Sequence, residues 1–173
     1  VARGHDVYVV APSVTHAQHG RFREVIEGQE MTVYRWPSWR WLPHDWLRYV
    51  MPFMTKHYSR RVYDEVNPDV VHIQSHIIVG RGLTRIARKR VIPVIATNHV
   101  MADNIVDFSI FPNTITKYIV GLSWDDAKRT FDMTRAVTTP TRKAADSLEK
   151  TIAITGAIPV RCGIDKAHYT ADL

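Results

Sequence analysis

The chain has 173 residues, 45% of them hydrophobic and 23% charged, a composition that excludes disorder and is long enough for one domain with a sizeable core. Its formal net charge of +6 favours an anionic partner, whether nucleotide phosphate, membrane surface or nucleic acid, without choosing among them. A lone cysteine, Cys162, excludes an internal disulfide framework and fits a reducing, cytoplasmic setting, and no run of about 18 apolar residues offers a bilayer span.

In chain order, Arg3-Gly4-His5 reads as the end of a helix, with Gly4 free to take the left-handed C′ conformation, followed by a strand over residues 6–11. The helix it would finish lies upstream, so a preceding strand and helix are expected. A polar loop over residues 13–29 leads to a second strand over 31–36. Leu47, Met51, Met54, Tyr58 and Val62 then recur at helical spacing, and Pro52 predicts that this helix kinks or starts there. After the turn Asn67-Pro68-Asp69 come a strand in VVHI, a helix with a basic face in HIIVGRGLTRIARKR, and a strand over 93–96. A long amphipathic helix over 114–134, a strand in AVTTP, a helix in TRKAADSLEK and a last strand over 158–161 complete the series.

Strands that alternate with helices of this length are parallel strands joined by crossover helices, and VVHI and PVIA are apolar enough for burial on both faces. The expected fold class is α/β, a doubly wound parallel sheet. No GxGxxG follows a strand, which argues against a dinucleotide-binding dehydrogenase. Ligands of such sheets sit outside the carboxyl ends of the strands. Polar clusters stand at three of these ends: Gln74, Ser75 and His76; Thr97, Asn98 and His99; Thr138, Thr139 and Thr141. Ser75 and Thr141 also suit helix capping, but three clusters on one edge point to a shared cleft.

Together the stretches RGHDVYVVAPS, PDVVHIQSH, GRGLTRIARKRVIPVIATNHVMADN, AVTTPTRKAADSL and IPVRCGID resemble, in order and spacing, the amino-terminal domain of retaining GT-B glycosyltransferases of the group 1 class. The resemblance is nearest to the branch that glycosylates diacylglycerol and other membrane lipids. It implies an amino-terminal, acceptor-side Rossmann-like domain over residues 1–165 and the start of an interdomain linker over 166–173, with the donor-binding domain outside the chain. It also implies transfer of a hexose from a UDP- or GDP-sugar co-substrate, with no other cofactor and no metal. The chain alone is not expected to catalyse transfer.

The histidine that such enzymes place near the transferred sugar falls on His99, the catalytic candidate, and Asn98, Met101, Asp103 and Asn104 match the loop around it, with Ala102 where a proline is common. Gln74, Ser75, His76, Thr97, Asn98, Asp103, Asn104 and Thr139 are the expected substrate-binding residues. Cys162-Gly163-Ile164-Asp165 matches the lead into the linker, where asparagine is more usual than cysteine. The resemblance implies a same-face mechanism in which the leaving phosphate helps to deprotonate the acceptor, so His99 would position a sugar hydroxyl and need no carboxylate nucleophile beside it.

Four of the five tryptophans lie between residues 36 and 53, interleaved with Arg40 and Arg48. Trp39, Arg40, Trp41 and Trp46 suit contact with an anionic membrane surface, and Arg81, Arg85, Arg88, Lys89 and Arg90 would add long-range attraction. The alternative for the tryptophans is packing onto the sheet. His72 with His76 and His16 with His19 have spacings that raise metal ligation, but His72 lies in a strand and His76 at a helix start, which does not set both on one helical face. Two other functions stay open: a GT-B transferase acting on a soluble sugar or small molecule, and a non-catalytic basic α/β module that binds nucleotide or nucleic acid. No RNP-like, KH or helix-turn-helix pattern supports the nucleic-acid reading.

Overall fold

The computed structural model describes residues 3–41, 44–99, 112–161 and 163. The amino-terminal part is a three-stranded sheet of order β1-β3-β2, built from β1 (Tyr8–Pro12), β2 (Gly20–Ile26) and β3 (Gln29–Trp36). β1 runs parallel to β3 with Tyr8 opposite Thr32 and Pro12 opposite Trp36, while β2 pairs antiparallel to β3. Glu27 and Gly28, with φ of 50° and 73°, turn the chain between β2 and β3, as a two-residue primed hairpin turn requires. The expected polar loop over residues 13–29 is therefore corrected: much of it is an edge strand. Burial gives β2 little hydrophobic alternation, since Val25 is 72% and Phe22 40% exposed. Its attachment comes from the ladder and from Arg35, whose guanidinium donates to both carboxylate oxygens of Glu24 at 2.9 and 2.6 Å.

A second hairpin, β4 (Trp39–Trp41) and β5 (His44–Tyr49), takes the place of the helix start read from Leu47 and Met51. Arg48 ties the hairpin down by donating to the Ser38 hydroxyl at 3.0 Å and the Ser38 carbonyl at 3.1 Å. The helix begins at the proline, as one of the two sequence alternatives has it: a 3₁₀ turn, Pro52–Met54, leads into α1 (Thr55–Val66). α1 ends at Asn67, which adopts the left-handed conformation with φ 46°.

The carboxyl-terminal part carries the expected parallel α/β pattern. β6 (Val71–Ile73), α2 (Val79–Lys89), β7 (Val94–Thr97), α3 (Asn113–Phe131), β8 (Ala136–Thr139), α4 (Arg142–Ile152) and β9 (Ile158–Pro159) alternate along the chain. The four strands form one parallel sheet in the order β6-β7-β8-β9. The α/β class is as the sequence predicts, but the described strands form three sheets and not a single doubly wound one. One hydrophobic cluster nonetheless joins β3, α1 to α4 and β6 to β8 through Trp36, Tyr63, Leu83, Val94, Phe131 and Leu148. Tyr63 keeps its hydroxyl satisfied inside this cluster by donating to the Leu83 carbonyl at 3.0 Å, and burial pushes its pKa well up.

Two glycines set how closely the elements approach. A Cβ at Gly80 would stand 1.8 Å from the Ser75 carbonyl oxygen, and one at Gly82 would stand 2.6 Å from Cβ of Thr55. Gly80 thus lets α2 start directly against the turn that leaves β6, and Gly82 lets α2 pack on α1. The side chains at the carboxyl end of β6 owe their placement to the first of these contacts.

Candidate functional site

Parallel pairing sets the carboxyl ends of β6, β7 and β8 side by side, because His72 lies opposite Ile95 and Thr97 opposite Thr138. Two backbone bonds extend the ladder past the strands: Asn98 N–H donates to the Thr138 carbonyl and Val160 N–H to the Thr139 carbonyl, both at 2.8 Å. The three polar clusters read from the sequence therefore share one edge.

His99 is exposed at this edge, with its Nε2 2.8 Å from Oε1 of Gln74, which is also exposed. The amide nitrogen of Gln74 lies 3.4 Å from the His72 ring nitrogens. His72 Nε2 lies 2.7 Å from the Thr97 hydroxyl, which lies 2.7 Å from the Thr138 hydroxyl, which in turn donates to the Ala96 carbonyl at 3.3 Å. A continuous polar chain thus runs from the buried face of β7 out to the His99 imidazole. Partial burial, with the neighbouring His99 second, lowers the pKa of His72, which remains exposed on the edge strand β6. Sequence reasoning placed Thr138 at this edge but missed His72, although the polar residues His72 and Gln74, two apart, were the available signal.

The remaining candidates divide. Thr97 and Asn98 are buried at the edge, 8% and 3% exposed. Ser75 lies in the turn below, its hydroxyl accepting from Ile77 N–H at 3.2 Å. Like Thr97 and Asn98, two further candidates are withdrawn from solvent, against the direct exposure a substrate-binding role expects. His76 is 2% exposed, its ring edge-on to Phe131 at 5.6 Å with Nε2 unpartnered among the described residues. Thr139 is fully buried and its hydroxyl donates to the Thr141 carbonyl at 3.0 Å. The physical reason is local: the turn that leaves β6, closely approached by Gly80, carries His76 in against Phe131 of α3, and β8 alternates its hydroxyls so that Thr138 joins the edge and Thr139 the interior. Thr141 caps α4 by accepting from Ala144 N–H at 3.1 Å. Burial lowers the His76 pKa against the opposing influence of Asp126, with Arg81 adding to the lowering. Met101, Asp103, Asn104, Cys162 and Asp165 lie outside the described residues.

Among the described residues no group of three or more His, Cys, Asp or Glu side chains is placed to hold a metal. No described helix is long and apolar enough to cross a membrane. In the aromatic hairpin, Trp41 is 43% exposed and edge-on to Tyr49, whereas Trp39 is half-buried and packs at a 47° tilt against His16 with ring centroids 4.5 Å apart. Arg40 is exposed, and the Trp46 side chain lies outside the description. The basic face of α2 is smaller than expected: Arg81 pairs with Asp126 of α3, and Arg90 pairs with Asp64 and lies over the Tyr63 ring. Arg85, Arg88 and Lys89 remain exposed.

With this geometry in place, comparison with known families decides the class. The family model described as Glycosyltransferase Family 4 matches residues 1–168. The chain belongs to this glycosyltransferase family. No curated protein matches it. For a Glycosyltransferase Family 4 domain, the general activity is glycosyl transfer from a nucleotide-sugar donor to a sugar acceptor. That membership agrees with the group 1 GT-B resemblance and with the parallel α/β sheet whose polar edge carries His99.

Proposed function

We propose that the chain is the acceptor-side domain of a retaining GT-B glycosyltransferase that moves a hexose from a UDP- or GDP-sugar to a lipid or lipid-linked acceptor. The observation that carries this reading is the exposed His99 imidazole at the joint carboxyl edge of β6, β7 and β8, held by Gln74 at 2.8 Å. An imidazole at such a place gives a sugar hydroxyl a fixed hydrogen-bond partner, and fixing the anomeric carbon against the acceptor is where a site without its own nucleophile gains rate. Thr97 and Asn98 shape the floor beneath it. Asp103 and Asn104 extend the substrate-binding set in this reading, and the donor pocket belongs to a second domain following the linker over residues 166–173.

The lipid preference draws on the exposed Trp41 and Arg40 of the hairpin and on the exposed cations Arg85, Arg88 and Lys89. A soluble acceptor is favoured instead by the half-buried Trp39 and by the tie between Arg48 and Ser38, both of which shrink the surface available to headgroups. Membership of a glycosyltransferase family supports transfer over a non-catalytic binding module. The test is turnover by the full-length protein with UDP- and GDP-hexoses against lipid and soluble acceptors, with the product's anomeric configuration read by NMR. Retained configuration on a lipid acceptor is expected. Inverted configuration, or turnover confined to soluble acceptors, overturns the corresponding half of the proposal.

A further inference from the structure

The first half of α3 has little to pack against, and two contacts show why. Arg81, at the start of α2, pairs with Asp126, and the His76 ring, just past β6, meets Phe131. Both contacts set residues 126–131 of α3 at the level where β6 ends and α2 begins. As a crossover between the parallel strands β7 and β8, α3 runs back along the sheet from its carboxyl side. At 1.5 Å per residue, Thr114 therefore stands about 18 Å beyond Asp126, past the edge that carries His99. Core residues divide accordingly. Trp124, Ala127 and Phe131 of the second half join the hydrophobic cluster, whereas Ile115, Tyr118 and Leu122 are 48%, 68% and 50% exposed. Their spacing puts these three on one stripe of the helix, which ends toward the sheet at the exposed Asp125.

α1 starts at the same level. A Cβ on Gly82, next to Arg81, would reach Thr55, the first residue of α1. Just ahead of Thr55, Phe53 is 79% exposed. Lys56, Arg60 and Arg61 of α1 and Lys117 of α3 are exposed and form no ion pair among the described residues, whereas the α1 acids Asp64 and Glu65 are paired with Arg90 and Arg21. Cations near a helix start do not serve the helix itself, because its dipole favours anions there. One end of the domain thus presents apolar side chains among unneutralised cations.

We propose that this end, with Phe53, Lys56 and Arg60 of α1 and Tyr118 and Leu122 of α3, docks on an anionic lipid bilayer and turns the strand edge toward it. Charge selects the occupant. The apolar groups suit the boundary of the acyl region, and cations of a single sign around them meet lipid phosphates. The inference deepens the lipid-acceptor reading and rests on it for the purpose of docking: an acceptor held in the bilayer would then enter from the side on which His99 is exposed.

The experiment is co-sedimentation of the full-length protein, without donor or acceptor, with vesicles of phosphatidylcholine alone and of phosphatidylcholine mixed with phosphatidylglycerol. The wild type should prefer the mixed vesicles. Tyr118→Ser combined with Leu122→Ser should weaken that binding roughly tenfold or more. Lys56→Gln combined with Arg60→Gln should weaken it roughly 25-fold, about fivefold for each cation, and leave binding to phosphatidylcholine alone unchanged. Val91 is the control: it is 90% exposed past the other end of α2, and Val91→Ser should bind as the wild type does. Every altered residue is exposed, so the urea midpoints should hold. Equal wild-type binding to both kinds of vesicle overturns the proposal, as does undiminished binding by the α3 variant. A change confined to that variant's oligomeric state also overturns it, because the stripe is then a contact between copies. Failure of the functional reading is separable: turnover confined to soluble acceptors would remove the lipid acceptor while the vesicle result stood.

Discussion

Replacing Gly80 with alanine tests how β6 and α2 present the candidate site. The added Cβ would lie 1.8 Å from the Ser75 carbonyl oxygen and 3.0 Å from the Ser75 carbonyl carbon, against a normal non-bonded separation of roughly 3.5 Å. Both obstructing atoms belong to the backbone, so no rotamer change relieves the overlap. Helix α2 must move away from the turn that carries Gln74 and Ser75. Overpacking of this kind costs about 1–3 kcal/mol, and a rigid partner places Gly80→Ala toward the upper end. Helix propensity acts the other way, since alanine is better than glycine by roughly 0.5–1 kcal/mol in a helix. The net expectation is a loss of about 2 kcal/mol. Gly121 in α3 supplies the control, because a Cβ there meets nothing within 4 Å. Gly121→Ala should therefore keep only the propensity gain, up to about 1 kcal/mol. Urea unfolding of the full-length protein, following a signal from this domain, reads both variants. A Gly80→Ala protein as stable as Gly121→Ala would refute the close approach of α2 to the Ser75 carbonyl.

Three further outcomes follow from the same structure. His76 is buried with a lowered pKa, so the folded state resists protonation and its stability is present above the unfolded value of about 6.5 and declines as pH falls below it. His76→Leu should flatten that decline in unfolding experiments between pH 7 and 5, and an unchanged slope would contradict the assignment. Tyr63→Phe removes the hydroxyl that donates to the Leu83 carbonyl, which keeps its place in the α2 ladder, and should cost about 0.5–1.5 kcal/mol, read as a lower urea midpoint with an unchanged slope; a loss under ~0.3 kcal/mol would contradict the bond. Trp41→Ala removes an exposed indole from the hairpin and should weaken sedimentation with anionic vesicles roughly three- to tenfold, the effect of about 1 kcal/mol of apolar burial; equal sedimentation would count against membrane contact there.

The carboxyl-terminal half was legible because the apolar run PVIA announces a buried parallel strand and the helices around it are long enough to be periodic; VVHI also forms its strand, but at the end of the sheet with Val70 and His72 exposed, so the expected burial on both faces is corrected. The start of α1 was legible in Pro52, which is accepted in a first helical turn and breaks a later one. The two hairpins were not. β2 alternates Arg21, Arg23 and Val25 with Phe22 and Glu24 on an edge where burial enforces no pattern, and the Glu27-Gly28 turn was its only local sign. In β5, Leu47 happened to fall four residues before Met51 and imitated a helix. The edge itself could be placed from strand ends alone, but the direction of each side chain could not. His76 and Thr139 turn inward because of a close backbone contact at Gly80 and the pleat of β8, neither of which a residue type reveals. The His72–Thr97–Thr138 chain depends on register between strands far apart in sequence, which no local pattern encodes.

The most direct test of the account is the turnover of full-length His99→Ala with the donor and acceptor that the wild-type enzyme uses. Loss of a positioned polar group at the reacting centre corresponds to a fall in kcat of at least ~100-fold, with the protein still folded because His99 is exposed. A folded His99→Ala enzyme that turns over within a few-fold of the wild type would contradict the assignment of this strand edge as the place where the sugar is held.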